Sequence, residues 1–501
     1  MTHGPVGDSA PGLDYEESEY SGKVVRIASV AALGGLLFGY DSAVINGAVS
    51  AIERQFDIGG WKLGFAVASA LLGAAIGAMT AGGLADKIGR LAVMKIAAAL
   101  FLISAIGAGL SVNFIGGNDD HILGLPTGVW MLVLFRIIGG VGVGVASVIA
   151  PMYIAETSPP RIRGRLGSLQ QLAIATGIFL SLAIDYLLAH LAGGSDQELW
   201  LGLEAWRWMF IAMSIPAVLY GALAFTIPES PRFLVAQYRV PEARKVLTML
   251  LGERNLELTI TRIQDSLKSE KPPSWSDLRK PTGGVYGIVW VGLGLSMFQQ
   301  FVGINVIFYY SNILWEAVGF DESQAFVITV ITSVINILTT LIAIALVDRI
   351  GRKPLLLIGS AGMAVTLGAM AIIFGFIAEL RPNAEGELIP VLPGVSGPIA
   401  LLAANLFVVA FGMSWGPVVW VLLGEMFPNR IRAAALGLAA AGQWVANWLI
   451  TVTFPGLRDH LGGAYAFYAI CALLSLLFVW KWVEETKGKH LEDMHADALK
   501  T

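Results

Sequence analysis

The sequence predicts an all-α membrane protein with twelve transmembrane helices in two pseudo-symmetric six-helix halves. Three observations carry that prediction: the composition, the spacing of long apolar runs and a repeat of charged loop motifs. Of the 501 residues, 55% are hydrophobic and 14% charged, against roughly 25% charged in soluble proteins. Twelve spans of about 20 residues would occupy roughly 240 of the approximately 276 hydrophobic positions. A net charge of −4 and a pI near 5.9 provide no basic footprint for nucleic acid. The single Cys471 and the six histidines form no HExxH, CxxC or other metal-ligand pattern, so neither a metal nor another cofactor is expected.

Residues 1–22 form a polar, acidic tail with Asp14, Glu16, Glu17 and Glu19, and they lack the basic and apolar blocks of a cleaved signal peptide. Apolar runs follow at about 24–46, 61–84, 91–114, 128–155, 166–190 and 206–227, making an N-terminal bundle over 23–228. A polar linker over 229–282 then carries charges such as Glu242, Arg244, Lys245, Arg254 and Asp265. Within it, 241–252 and 256–268 have helical apolar spacing, with Pro241 suited to a first turn and Gly252 to a stop. The C-terminal bundle, 283–484, holds runs at about 284–314, 323–347, 354–379, 398–424, 434–456 and 463–483, and residues 485–501 form a second tail.

The short loops on one side carry eleven basic residues, among them Lys87, Arg90, Arg161, Arg163, Arg349, Arg352 and Arg430, against five on the other side. The positive-inside rule makes the basic side cytoplasmic and both termini cytoplasmic, in a multi-pass protein of the cell membrane. A monomer in the lipid bilayer is expected.

The two halves repeat. GGLADKIGR at 82–90 matches IALVDRIGRK at 344–353, placing Asp86 over Asp348 and Arg90 over Arg352 at an offset of 348 − 86 = 262. AETSPPRIRGR at 155–165 matches GEMFPNRIRAA at 424–434, placing Glu156 over Glu425 and Arg163 over Arg432 at an offset of 425 − 156 = 269. A parallel duplication of a six-helix unit is the arrangement of transporters whose substrate site lies between two rocking halves. A carboxylate and a guanidinium on a tight turn can bond a neighbouring helix end. The two sets are read as a cytoplasmic latch that favours the outward-facing state and releases on rocking.

These motifs, with PESPR at 228–232, QQFVGINVIFYY at 299–310, GPVVWVLLGEMFPNRIR at 416–432 and ETKG at 485–488, resemble the sugar porter family of the major facilitator superfamily over essentially all twelve spans. The resemblance implies the major facilitator fold and alternating access to a central monosaccharide site, as in bacterial proton-coupled glucose and xylose symporters. Glu484 departs from the family, which usually has proline before the ETKG-like motif.

Charge inside a bilayer is costly and is functional by default, which singles out Asp41 and Arg136. Each lies eight positions from the outer end of its run, near 49 and 128, or about 12 Å deep. They are expected to meet. The pair reads either as a permanent structural bridge or as a switch in which a proton on Asp41 frees Arg136; the switch is the expectation. The resemblance supports it, since symporters of the family have aspartate at this position and facilitative relatives commonly a neutral residue. Some symporters add a carboxylate on the sixth helix, where this chain has Met213. Asp185, near the outer end of the fifth span, reads as a solvated residue before a relay member.

A neutral sugar presents hydroxyl donors and acceptors and apolar C–H faces, which amides and aromatic rings match. The resemblance carries sugar contacts onto Gln171, Gln299, Gln300, Asn305, Trp420 and Gln443, with Asn336, Phe38 and Trp444 in supporting places. Gln300 and Asn305 lie about 140° apart on an ideal helix, so convergence on one ligand requires a break in the seventh span near Gly303. Gly416 and Pro417 are expected to interrupt the tenth. Tyr309 and Tyr310 are candidates for closing the site from outside, or for packing. Trp206 and Trp208, near a span end, read as interface anchors. Glycines 139, 140, 142 and 144 lie inside an apolar helix and read as close packing, not as a phosphate loop. No nucleophile–base set or Walker sequence is present, so an enzyme or ATP-driven pump is not expected.

The resulting expectation is proton-coupled import of a monosaccharide, glucose first and xylose or another hexose next. Facilitated diffusion and a transporter-like sugar sensor are the alternatives. The residues leave the choice of sugar open, because pocket shape decides it.

Overall fold

The computed structural model describes residues 19–112, 121–158, 163–252, 256–269, 275–281, 283–382, 388–428 and 431–487. The side chains of Arg163, Asp348, Glu425 and Arg432 lie outside the described set. Four of the latch residues expected from the repeat therefore receive no structural account.

The first half comprises α1 (Glu19–Phe56), α2 (Gly60–Ile88), α3 (Arg90–Gly109), α4 (Thr127–Thr157), α5 (Arg163–Ala192), and α6 (Ala205–Ala212) with α7 (Ser214–Ala224) as its sixth span. The linker forms α8 (Pro231–Ala236), α9 (Val240–Leu251) and α10 (Leu256–Ser269). In α9, Pro241 sits in the first turn and Gly252 ends the helix at φ 75°, where a missing Cβ removes the penalty for positive φ. The second half comprises α11 (Gly287–Phe301) with α12 (Ile304–Glu316), α13 (Glu322–Ile350), α14 (Arg352–Ile372), α15 (Ser396–Gly412) with α16 (Trp415–Met426), α17 (Arg432–Leu457) and α18 (Leu461–Trp482). Among the described residues, eleven helical stretches are long and apolar enough to cross a membrane. The last of them, Ala434–Trp482, folds at Arg458–His460 into α17 and α18, giving twelve spans.

Three short hairpins, β1–β2 (His121–Ile122, Leu125–Pro126), β3–β4 (Glu198–Trp200, Leu203–Glu204) and β5–β6 (Glu379–Pro382, Leu388–Val391), mark one side of the bundle. The linker helices and the Asp-x-x-Gly-Arg turns mark the opposite, basic side. Large apolar side chains such as Met79, Ile215, Val365 and Phe376 point outward and are exposed, as lipid-facing positions are. The glycines of α4 are packing residues. A Cβ at Gly140 would lie 1.9 Å from the Ala70 carbonyl oxygen and one at Gly144 2.1 Å from that of Ala74, so α2 and α4 touch backbone to backbone.

The first helix departs from its expected length. Its outer end is expected near residue 49, yet the helix continues to Phe56. Asp41 is therefore fifteen residues from the helix end (56 − 41), not eight. The extra turns carry polar residues that are paired with the other half, so apolarity understates the helix.

Candidate functional site

Asp41 and Arg136 do meet, α1 against α4, with exposures of 1% and 2%. Arg136 Nη1 lies 3.4 Å from Asp41 Oδ1 and donates at 2.9 Å to the Asp41 main-chain carbonyl. Neither carboxylate oxygen has a hydrogen-bond partner among the described residues. The guanidinium is thus tethered through the backbone as well as through charge, and neutralising Asp41 would leave that tether in place. This differs from a simple release of Arg136. Phe210 of α6 lies under the guanidinium, 5.9 Å from ring centre to Cζ.

The pair opens on a tight pocket lined by Ser42 and Ile45 of α1, by α2 and α4, and by Tyr309 and Trp444 from the other half. Tyr309 has Ser42 and Asn447 of α17 within reach of its hydroxyl. Tyr310, adjacent in sequence, turns away: its hydroxyl donates to the Thr451 carbonyl at 2.7 Å and its ring packs on Phe454. The two tyrosines do not form one gate, because neighbouring residues on a helix point about 100° apart. Trp444, grouped with the sugar contacts by sequence, sits in the pocket of the proton candidate.

The seventh span breaks at Gly303, which takes φ 83° between α11 and α12. Across that break the Asn305 amide donates to the Gln300 side-chain oxygen. Gln299 donates to the carbonyls of Trp415 (2.8 Å) and Gly416 (3.1 Å), and its own oxygen accepts from Gln443 at 2.8 Å. Four of the amides form two bonded pairs, each with more donor and acceptor capacity than these bonds use. Gln171, Asn336, Phe38 and Trp420 stand on four other helices, α5, α13, α1 and α16, partly or well exposed, and belong to neither pair. Trp420 is 43% exposed, whereas Trp415 is wholly buried with its indole N–H on Leu356 and Ser360. The tenth span breaks at Met413–Ser414, just before Gly416 and Pro417, which occupy the first turn of α16, where proline is tolerated.

Two expectations are corrected. Asp185 is not solvated: it is 0% exposed, lies against Gly47 of α1, and neither oxygen has a hydrogen bond of ordinary geometry among the described residues. Trp206 is a core residue, 0% exposed with its indole N–H donating to Gln55, because α1 overhangs the site that would otherwise face the interface.

On the basic side Arg90 is 4% exposed and makes a bidentate bond to Glu156 at 2.8 and 2.9 Å, with Asp86 at 3.0 Å on its rim. Ser230 also donates to Glu156, and Glu229 accepts from the backbone N–H groups of Arg90 and Leu91, both at 3.1 Å. Every one of these partners belongs to the first half or to the start of the linker. Among the described residues the contact braces one half internally.

The second half repeats the arrangement. Glu485 accepts from the N–H groups of Arg352 (3.1 Å) and Lys353 (3.0 Å), and Arg352 donates to the Val347 carbonyl as Arg90 does to that of Ala85. Gly89 and Gly351 take φ 99° and 104°, and a Cβ on either would lie within 2.7 Å of the capping glutamate. Sequence reasoning missed this pairing of Glu229 with Glu485. Its signal was the offset, 485 − 229 = 256, close to the 262 and 269 of the other motifs.

Twelve spans, two equivalent halves and a polar centre made from both define a membrane transporter of the alternating-access class. The model of the family described as sugar (and other) transporter matches residues 27–498, and the chain belongs to that family; it is a transporter and not an enzyme. It is 53% identical over 474 residues to the glucose transport protein of Synechocystis sp., covering 94% of this chain and 97% of that one. It is 39% identical to the D-xylose-proton symporter of Escherichia coli K12, covering 95% and 96%. The inward-open conformation of the xylose transporter XylE from E. coli superposes with a TM-score of 0.78 at 39% identity, over 94% of this chain and 99% of that one.

Proposed function

We propose that this protein imports a monosaccharide together with a proton, with Asp41 as the proton acceptor and the α11, α12 and α17 amides as the main sugar contacts. The observation that carries the reading is the Asp41 carboxylate: buried, beside Arg136, with no hydrogen bond on either oxygen among the described residues. A permanent structural bridge would use those oxygens, since buried charges persist only when paired and hydrogen-bonded. This one keeps them for a proton. Tyr309 and Trp444 reach the same pocket from the sugar-side half, so protonation and closure around sugar bias the same interface. The names of the relatives support glucose first and xylose next. The basic side faces the cytoplasm with both termini, in the cell membrane, and the working unit is a monomer.

The test is uptake of radiolabelled glucose and xylose into proteoliposomes with and without an inward proton gradient. Accumulation above the external concentration is expected only with the gradient and native Asp41, and Asp41→Asn is expected to keep exchange and binding. Uphill accumulation by Asp41→Asn would refute the assignment. Equilibration indifferent to the gradient would make the protein a facilitator, and binding without flux a sensor.

A further inference from the structure

Two of the three hairpins are copies of one another. Ile122-Leu123-Gly124-Leu125 turns β1 into β2, and Trp200-Leu201-Gly202-Leu203 turns β3 into β4, at an offset of 201 − 123 = 78. Each turn has leucine first, at φ 50° and 57°, and glycine second, at φ 78° and 74°. At the same offset a tryptophan in the first turn of the following helix reaches back to the hairpin. Trp130 Nε1 donates to the Ile122 carbonyl at 2.7 Å, and Trp208 Nε1 to the Trp200 carbonyl at 3.1 Å. Each hairpin is thereby fixed to the span it leads into, α4 or α6.

Water does not account for the leucines. A two-residue turn with positive φ at both positions ordinarily takes Asn, Asp or Gly first, because a bulky side chain is strained there. Leu123 and Leu201 occupy that position at 84% and 88% exposure, the two most exposed leucines among the described residues. Packing within the chain therefore does not offset the strain. The hairpin of the second half has a polar sequence between its strands instead, Asn383-Ala384-Glu385-Gly386-Glu387. The apolar surface of the spans runs up to the two leucine tips. Helix α3 packs against both following helices, Gly107 on Phe135 of α4 and Gly109 on Ile211 of α6, and its outer end exposes Ile106 and Leu110. Both spans begin directly after the second strand of their hairpin. Trp200, half exposed, stands edge-on to Trp208 at 5.6 Å, at the level where tryptophan marks a membrane boundary.

We propose that Leu123 and Leu201 are lipid contacts, two prongs that the first half sets into the boundary between headgroups and acyl chains on the hairpin side. Interfacial elements bury their apolar side chains about 5–10 Å into that boundary, and a leucine gains there what it gains in a protein core, removal from water. The lipid supplies the contact that the turn strain calls for. The indole bonds keep each hairpin at a set angle to its helix, so insertion ties the outer ends of α4 and α6 to one leaflet. The polar turn sequence of the second half has no matching prong, which makes the hold one-sided. The continuity of the tips with the lipid-facing spans favours an acyl chain over a second copy of the protein as the occupant. The inference rests on the membrane setting and not on proton coupling or the identity of the sugar.

The test reads depth. In a Cys471→Ser background, Leu123→Cys and Leu201→Cys each carry a small fluorophore, with Glu379→Cys on β5, whose native side chain is 54% exposed, as the water-facing reference. The full chain is placed in phosphatidylcholine vesicles whose lipid bears a spin label near the carbonyl end or at the methyl end of an acyl chain, or in unlabelled vesicles with iodide on both sides. Both tips are expected to lose more emission to the carbonyl-end label than to the methyl-end label or to iodide, and the reference to lose most to iodide. With the reporter moved to Ile122→Cys, where the native residue is 45% exposed, adding Leu123→Asn should shift the loss from lipid label to iodide, although asparagine suits the turn. If one tip variant does not fold, the other decides. Tips quenched by iodide as strongly as the reference would overturn the proposal, and so would an Ile122→Cys reporter that ignores Leu123→Asn. Tips shielded from every quencher would also overturn it, and disulfide-linked dimers in that case would assign the surface to a second copy.

Discussion

Removing the charge of Glu156 tests how the basic side is built. In Glu156→Gln the Arg90 guanidinium, 4% exposed, loses a bidentate carboxylate at 2.8 and 2.9 Å. It keeps the Ala85 carbonyl, the Phe233 ring, one amide oxygen of the new glutamine and Asp86, whose side chain is 70% exposed. Breaking a buried pair by deleting one partner costs about 3–5 kcal/mol, because an uncompensated charge stays behind. The retained contacts place the loss at the low end, about 3 kcal/mol, or roughly 6–12 °C in melting temperature for a half of this size. Asp86→Asn, by contrast, removes a solvent-screened pair and should cost about 0.5 kcal/mol. The assay is thermal unfolding of purified protein in detergent, with Arg90→Met and the Arg90→Met, Glu156→Gln double variant closing the cycle. The double variant should be more stable than the sum of the single losses predicts. Equal losses for Glu156→Gln and Asp86→Asn, or strict additivity, would refute the reasoning.

Glu485 gives a pH-dependent counterpart. Burial pushes its carboxyl up, but the N–H groups of Lys487, Arg352, Lys353 and Thr486 outweigh that and hold it below the ordinary glutamate value of 4.5. Its stabilisation is therefore complete above that value and lost as pH falls through the lower folded one. Glu485→Gln should melt earlier by the equivalent of about 0.5–1 kcal/mol near neutrality, and melting curves should converge with the native ones in acid; a gap that persists there would count against the cap. Asp185→Asn should raise the melting temperature, since a carboxyl buried against Gly47 without ordinary hydrogen bonds costs about 1–3 kcal/mol. Uphill uptake should survive this change, and its loss would make Asp185 a proton relay.

Some of the site was readable because certain residues are intolerable in lipid unless they do something. Asp41 and Arg136 could be paired because each is an isolated charge inside an apolar run, although the equal depths assumed for them do not hold once α1 runs on to Phe56; the Gly303 break followed from the angle between Gln300 and Asn305. The Asp185 expectation failed for the opposite reason. Near a span end a carboxylate is acceptable in water, so its burial against Gly47 depends on how closely α5 meets α1. Tyr309 and Tyr310 could not be separated either, because their roles diverge through helix rotation set by α17.

By itself the sequence determined the number and length class of the spans, the duplication and the membrane setting, since these follow from local hydrophobicity and from motifs compared with one another. The tertiary structure alone decided that α1 runs on to Phe56, that Gln299 bonds the backbone of the tenth span, that among the described residues the Arg90 brace stays within one half, and that Asn46 bonds the backbone of α12. Those contacts join residues as far apart as 46 and 312, or 299 and 416. A polar side chain at a helix end satisfies the sequence equally well facing water or facing another helix, and packing chooses between them.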